Sequence, residues 1–147
     1  GQHYNGYNLI TYDGAELVYQ SNYIAQPQRL QPGMYGVSNS TLETLWPKAQ
    51  SAVDKLERWL KQPNDIDQLA CLLNDRSTVA DHQLPQTGVP LELERVLSAE
   101  FIEHGDYGTR CSTALLVHRS GFAEYCEVTH YPAQSISRQR IENFIPA

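Results

Sequence analysis

The chain has 147 residues, with 17 acidic and 11 basic side chains, a formal net charge of −6 and a pI near 5.3. That length predicts one domain over residues 1–147, able to bury roughly 70% of the surface an unfolded chain exposes. The acidic balance, without any run of Lys or Arg, disfavours nucleic acid as a partner, because phosphate binding needs clustered positive charge.

Residues 7–12 (YNLITY) and 15–20 are rich in β-branched and aromatic types and flank Asp13-Gly14, which predicts a hairpin with a type I′ turn. A second extended stretch is expected near Arg29-Leu30, then a Pro32-Gly33 turn and a short strand over Tyr35–Ser38. Leu42, Leu45, Trp46, Ala49, Val53, Leu56 and Leu60 then recur at spacings of three and four, the mark of an amphipathic helix. Ser40 with Glu43 has the form of a capping box, but a helix starting there would hold Pro47 in its interior. The expectation is one loose turn over 41–45 and a main helix over 46–61. A shorter helix over 65–73 follows, then a polar loop over 75–91 carrying Pro85, Gly88 and Pro90; loops of that length are usually functional or disordered. Residues 92–103 suggest a short helix. Residues 111–118 and 122–129 form a second hairpin about Arg119-Ser120-Gly121, and 138–145 alternates weakly as one more strand. Hairpins interrupted by a helical block predict an α+β fold with mostly antiparallel sheets.

No apolar stretch reaches the ~20 residues that a membrane-spanning helix needs, so no integral membrane segment is expected and the cytoplasm is the expected compartment. Cys71, Cys111 and Cys126 are odd in number and widely spaced, which fits reduced thiols better than a disulfide framework or a zinc site. His3, His82, His104, His118 and His130 lack zinc-ligand spacing, and no metal or cofactor is expected. Cys111 is expected to be a buried structural thiol in its strand.

Two clusters carry possible chemistry. In Tyr35-Gly36-Val37-Ser38-Asn39, an Asn ends an extended run, where it either aims its amide at a developing oxyanion or caps a helical turn. In Tyr107-Gly108-Thr109-Arg110, the Arg precedes an apolar strand, where it either fixes a carboxylate or stands as a strand-edge charge in solvent.

Taken in order, YNGYNLITYDG, LQPGMYGVSNSTLETLWPK, QLPQTGV and DYGTRCSTALLV resemble the carboxy-terminal part of the NRDE, or transport and Golgi organisation protein 2, family. The resemblance runs from Tyr4 to about residue 131. It implies part of an αββα sandwich like that of the amino-terminal-nucleophile hydrolases. It also implies a preceding segment of the same protein, as partner, to carry the nucleophilic Cys; the opening at Gly1 reads as a fragment or processed boundary. By a more distant likeness to penicillin V acylases and bile salt hydrolases, Asn39 becomes a catalytic oxyanion-hole candidate and Arg110 a catalytic candidate that orients the nucleophile or binds substrate. Tyr7, Tyr35, Tyr107 and Thr109 become substrate-binding candidates. The implied function is hydrolysis of a carbon–nitrogen amide bond in the intact protein, with this chain inactive alone. The alternative is a non-enzymatic protein that binds and moves a hydrophobic ligand, with haem and lipid or acyl-CoA as candidates. Part of such a sandwich is expected to expose an apolar sheet face or strand edge.

Overall fold

The computed structural model describes residues 6–62, 65–142 and 144, and within them the fold is α+β. Its strands are β1 Asn8–Tyr12, β2 Leu17–Ser21, β3 Gln28–Leu30, β4 Glu103–His104, β5 Tyr107–Gly108, β6 Cys111–Val117, β7 Ala123–Thr129 and β8 Ser135–Ile141. Its helices are α1 Pro47–Lys61, α2 Ile66–Ala70 and α3 Leu91–Leu97, with a 3-10 turn at Asp81–Gln83. All strand pairs are antiparallel, in sheets ordered β1-β2-β3, β4-β5 and β6-β7-β8. No helix among the described residues is long and apolar enough to cross a membrane.

The first hairpin forms, but its turn is longer than Asp13-Gly14 alone. Tyr12 pairs with Leu17, so residues 13–16 make the loop. The Asp13 carboxylate accepts from the backbone N–H of Ala15 at 2.9 Å and of Glu16 at 2.8 Å. These bonds hold its pKa below the ordinary value, and they favour a side-chain-closed turn over the two-residue one. Gly14 still supplies the positive φ, 98°. The second hairpin forms about Arg119-Ser120-Gly121 as expected, with Cys111 opposite Thr129 and Val117 opposite Ala123. The last strand lies over Ser135–Ile141, earlier than the expected 138–145; residues 143 and 145–147 lie outside the described residues, as does Tyr4.

Pro47 is the first residue of α1, where it loses no intrahelical bond. The loose turn before it is closed by Thr44 N–H donating to the Thr41 carbonyl at 3.1 Å. Asn39 therefore caps no helix; Trp46 holds that position. Arg58 and Lys61 sit in the last turn, where positive charge suits the helix dipole. Asp65 caps α2 by accepting from Gln68 N–H at 2.9 Å.

The core under β6-β7-β8 is built from small side chains. Ala70 of α2 meets Ala114, Cys126 and Val128, with Ile66 and Leu69 at its edge. Asp67 on α2 accepts from Arg138 on β8 at 2.7 Å, joining the helix to the far strand. Cys126 is the buried thiol and Cys111 is exposed, which corrects the expectation. Cys111 starts a strand whose even-numbered residues, Ser112 and Ala114, turn inward, so alternation sends it out. Leu9, Ile10 and Tyr12 on β1, and Leu115 and Val117 on β6, are exposed. Both are outer strands of their sheets.

No strand forms over Tyr35–Ser38; the segment runs as an unpaired ribbon against α1. Gly36 is its point of closest approach. A Cβ there would stand 3.0 Å from the Ala49 carbonyl, 3.0 Å from Val53 Cγ2 and 3.3 Å from Leu45 Cδ1. Gly36→Ala is expected to destabilise the fold by about 1–3 kcal/mol through overpacking, read as a lower urea midpoint with an unchanged slope.

Lys55 of α1 reaches Glu100 at 2.7 Å and Asp75 at 3.4 Å, while the Asp75 carbonyl accepts from Phe101 N–H at 2.8 Å. Hydrogen bonds from Ser77 and then Lys55 lower the Asp75 pKa from 3.8 to about 2. Because the folded value is the lower one, this contribution is fully present above 3.8 and is lost as pH falls towards about 2. Asp75→Asn should flatten the acid limb of the stability profile in that window, measured by denaturant unfolding at stepped pH.

Candidate functional site

Sequence places Lys48 in the first turn of α1, at the positive end of the helix dipole, where a cation is disfavoured by about 0.3–1 kcal/mol. The fold explains the placement. Lys48 Nζ donates to the carbonyl of Leu97, the last residue of α3, at 2.7 Å. That carbonyl belongs to the negative end of the second helix. The bond draws the two helix ends together and leaves a cavity of about 250 Å³ between them.

Three stretches line this cavity: Asn39 with Trp46, Pro47 and Lys48; Val79, Pro85, Thr87 and Val89 from the long loop; and Glu94, Leu97 and Ser98 from the end of α3. Its walls are mostly apolar, and Asn39, Lys48, Thr87, Glu94 and Ser98 supply its polar groups. The Lys48 amine is half-buried, forms no ion pair among the described residues, and is pushed by burial below the ordinary lysine pKa. Two N–H donors remain after the bond to Leu97. The Asn39 side chain is exposed and makes no hydrogen bond among the described residues.

The long loop is a fixed wall. Its Val79 N–H donates to Ser98 Oγ at 3.1 Å. Asp81 takes a two-pronged contact from Arg95 at 2.8 and 2.7 Å. Buried Glu94 accepts from the Thr87 N–H at 2.7 Å and its hydroxyl at 2.5 Å. The Arg95 guanidinium holds the Asp81 carboxyl below the usual range.

A second concavity, of about 330 Å³, is lined by Tyr107, Gly108, Thr109, Arg110, His130 and Tyr131 among others. The Arg110 guanidinium is exposed and lies 4.7 Å over the Tyr131 ring. Thr109 is turned inward, its hydroxyl accepting from Ile102 N–H at 2.9 Å. Gly108 is sterically required, since a Cβ would come within 2.5 Å of the Ile102 carbonyl. His130 Nε2 contacts the nearly buried Ser112 hydroxyl at 2.9 Å.

Of the residues singled out from sequence, Tyr107, Thr109 and Arg110 thus share one concavity, while Asn39 lines the other. Tyr35 lies along an apolar groove with Gly36, Val37 and α1 side chains, its hydroxyl donating to the Gln31 carbonyl. Tyr7 lines neither concavity; its N–H donates to Asn22 Oδ1. Lys48, Glu94 and Thr87 were not anticipated. The one signal for Lys48 was its unfavourable place on the helix dipole; Glu94 and Thr87 carried none.

The chain is an α+β protein with antiparallel sheets and a small, mostly apolar cavity that Lys48 lines. The family model described as Transport and Golgi organisation 2 matches residues 1–132, and the chain belongs to that family. It is 34% identical over 144 residues to a Transport and Golgi organization protein 2 homolog from Bos taurus, covering 86% of this chain and 51% of that protein. Identity to the Homo sapiens homolog is 33% over 144 residues and to the Mus musculus homolog 30% over 146, with the same coverage. The chain therefore spans about half the length of the curated relatives it matches.

Glu94→Ala removes the acceptor of the Thr87 N–H and hydroxyl. Because Thr87 itself is exposed and water can replace the acceptor, it should cost about 0.5–1.5 kcal/mol and raise the hydrogen-exchange rate of the Thr87 amide well above that of the β6–β7 amides.

Proposed function

We propose that this chain binds a small amphipathic molecule with a carboxylate or similar oxygen-rich head, held in the cavity between α1 and α3. One observation carries the reading. Residues from two separate motif segments, Asn39 with Trp46-Pro47-Lys48 and then Pro85, Thr87 and Val89, meet around one cavity whose wall includes an ammonium with no carboxylate partner among the described residues. Lys48 would supply the charge and Asn39 a neutral donor, while Trp46, Val79, Pro85, Val89 and Leu97 receive the apolar body. Pockets for drug-sized ligands run ~300–1,000 Å³. The smaller cavity here, about 250 Å³, suits a medium-chain acid better than a tetrapyrrole, so haem is the weaker of the ligands the binding reading allows.

The test is calorimetric titration with octanoate. Saturable binding is expected. Lys48→Ala should weaken it at least tenfold, the effect of a charge-assisted bond worth about 1.5–3 kcal/mol, and Asn39→Ala by less. Since the ligand pairs with the ammonium form, affinity should fall as pH rises through the Lys48 pKa, which lies below 10.5. Heat changes that never saturate with octanoate, or equal affinity in wild type and Lys48→Ala, would sink the proposal.

A second reading follows the hydrolase likeness, with Asn39 as oxyanion donor and Arg110, Tyr107 and Thr109 as substrate-orienting groups. It is favoured by the unengaged Asn39 amide. It is less well supported, because Arg110, Tyr107 and Thr109 line the other concavity. Turnover of an acyl anilide by the intact protein, lost on Asn39→Ala, would favour it over simple binding.

A further inference from the structure

Asn39 stands on a ribbon with no ladder of its own, yet its two neighbours are tied down from another part of the fold. Asn8, the first residue of β1, extends its side chain across to them. Its Nδ2 donates to the Ser38 carbonyl at 2.9 Å and to the Ser40 carbonyl at 3.0 Å. Its Oδ1 accepts from the Tyr19 hydroxyl at 2.7 Å. Tyr19, on β2, is wholly buried, and a buried phenol needs a partner for its O–H.

A primary amide has two N–H donors and one carbonyl acceptor, and all three functions are in use. The reverse orientation would set Oδ1 against two carbonyls and the NH₂ group against the phenol oxygen. Ionised Asp, of nearly the same shape, could donate to neither carbonyl. The two bonded carbonyls are those immediately before and after Asn39, so the clamp fixes the backbone on both sides of that residue. Its anchor, Tyr19, is rooted in the first sheet, opposite Ile10 and diagonal to Asn8.

We propose that Asn8, oriented by the Tyr19 hydroxyl, is the positioning residue that holds Asn39 at the mouth of the cavity between α1 and α3. This deepens, and for its effect on ligand rests on, the reading of Asn39 as a head-group donor. The clamp keeps the ribbon in its binding-competent arrangement before ligand arrives. Apparent affinity falls with the competent fraction, down to the affinity that remains when the Asn39 contact is lost altogether.

Two readouts separate this claim from the ligand reading. In the ligand-free protein, ¹⁵N NMR follows the Asn39 side-chain amide and the backbone order parameters at residues 38–40. Asn8→Ala should shift the Asn39 resonance and lower those order parameters while leaving the β6–β7 amides unchanged; Tyr19→Phe should do the same to a smaller degree. Asn8→Asp should act like Asn8→Ala near neutral pH and recover partly as acid protonates the carboxyl and restores one donor. Simple loss of packing would not show such a recovery. With octanoate, Asn8→Ala should weaken binding by no more than Asn39→Ala does, and Asn8→Ala with Asn39→Ala should bind no more weakly than Asn39→Ala alone.

Unchanged Asn39 resonances and order parameters in Asn8→Ala, a pH-independent Asn8→Asp, or fully additive losses would each overturn the proposal. If octanoate fails to bind the wild type, the cavity reading falls, and the resonance and order-parameter changes still decide the clamp.

Discussion

The stretch from Gly36 to Ser40 belongs to no sheet and no helix, and everything around the candidate cavity depends on how it is held. On one side Gly36 presses against α1 so closely that even a methyl group would meet the helix at 3.0 Å. On the other, Asn8 bonds the two carbonyls that flank Asn39. Between these constraints the ribbon has little freedom, although it lacks the repeated backbone bonds that fix a strand. An exposed amide at its end is thereby presented in a defined place, and the restraint comes from a neighbouring hairpin and a helix.

The same logic runs through the other wall. A polar loop with three proline or glycine positions would ordinarily be mobile, but three contacts from the α3 region reach back to it: Ser98 to Val79, Arg95 to Asp81 and Glu94 to Thr87. Glu94 is nearly buried. Its carboxylate is tolerable there because two donors converge on it, where an unpartnered one would be costly. Lys48 completes the frame by linking the start of α1 to the end of α3. The polar contacts that shape the cavity therefore also hold the long loop in place.

Local chemistry made part of this legible from sequence. The β6–β7 hairpin and a main helix beginning beside Pro47 follow from alternation and proline's missing N–H, both short-range effects; the second helix, expected over 65–73, is shorter, Ile66–Ala70, with Asp65 as its cap. The expected strand over Tyr35–Ser38 was lost because its residue types suit a strand but no neighbouring strand pairs with it. The β4–β5 pair is only two residues a side, too short for periodicity to register. Asn39 and Arg110 were picked out by their positions at the ends of runs; their separation into different concavities is set by tertiary packing, which no spacing encodes. Asn8 was invisible for the same reason. Its partners lie 11, 30 and 32 residues away.

The two concavities differ in what they offer chemically. Around Arg110 the fixed groups include Glu103 and Asp106 beside Tyr107 and Tyr131, and the guanidinium already rests on an aromatic face, an arrangement that satisfies it without a ligand. Around Lys48 the ammonium has a carbonyl partner and no carboxylate. The nearest acid lining that cavity, Glu94, is committed to Thr87. An incoming anion at Arg110 would face Asp106 and a Glu103 already paired with Arg76, and would compete with the close Tyr131 contact; at Lys48 it would meet an ammonium with a longer contact to the Trp46 ring, 5.9 Å, and no carboxylate partner, in partly apolar surroundings where each polar contact counts for more. That difference in unspent charge, more than the size of either hollow, is why a ligand's acidic head is assigned to the cavity between α1 and α3.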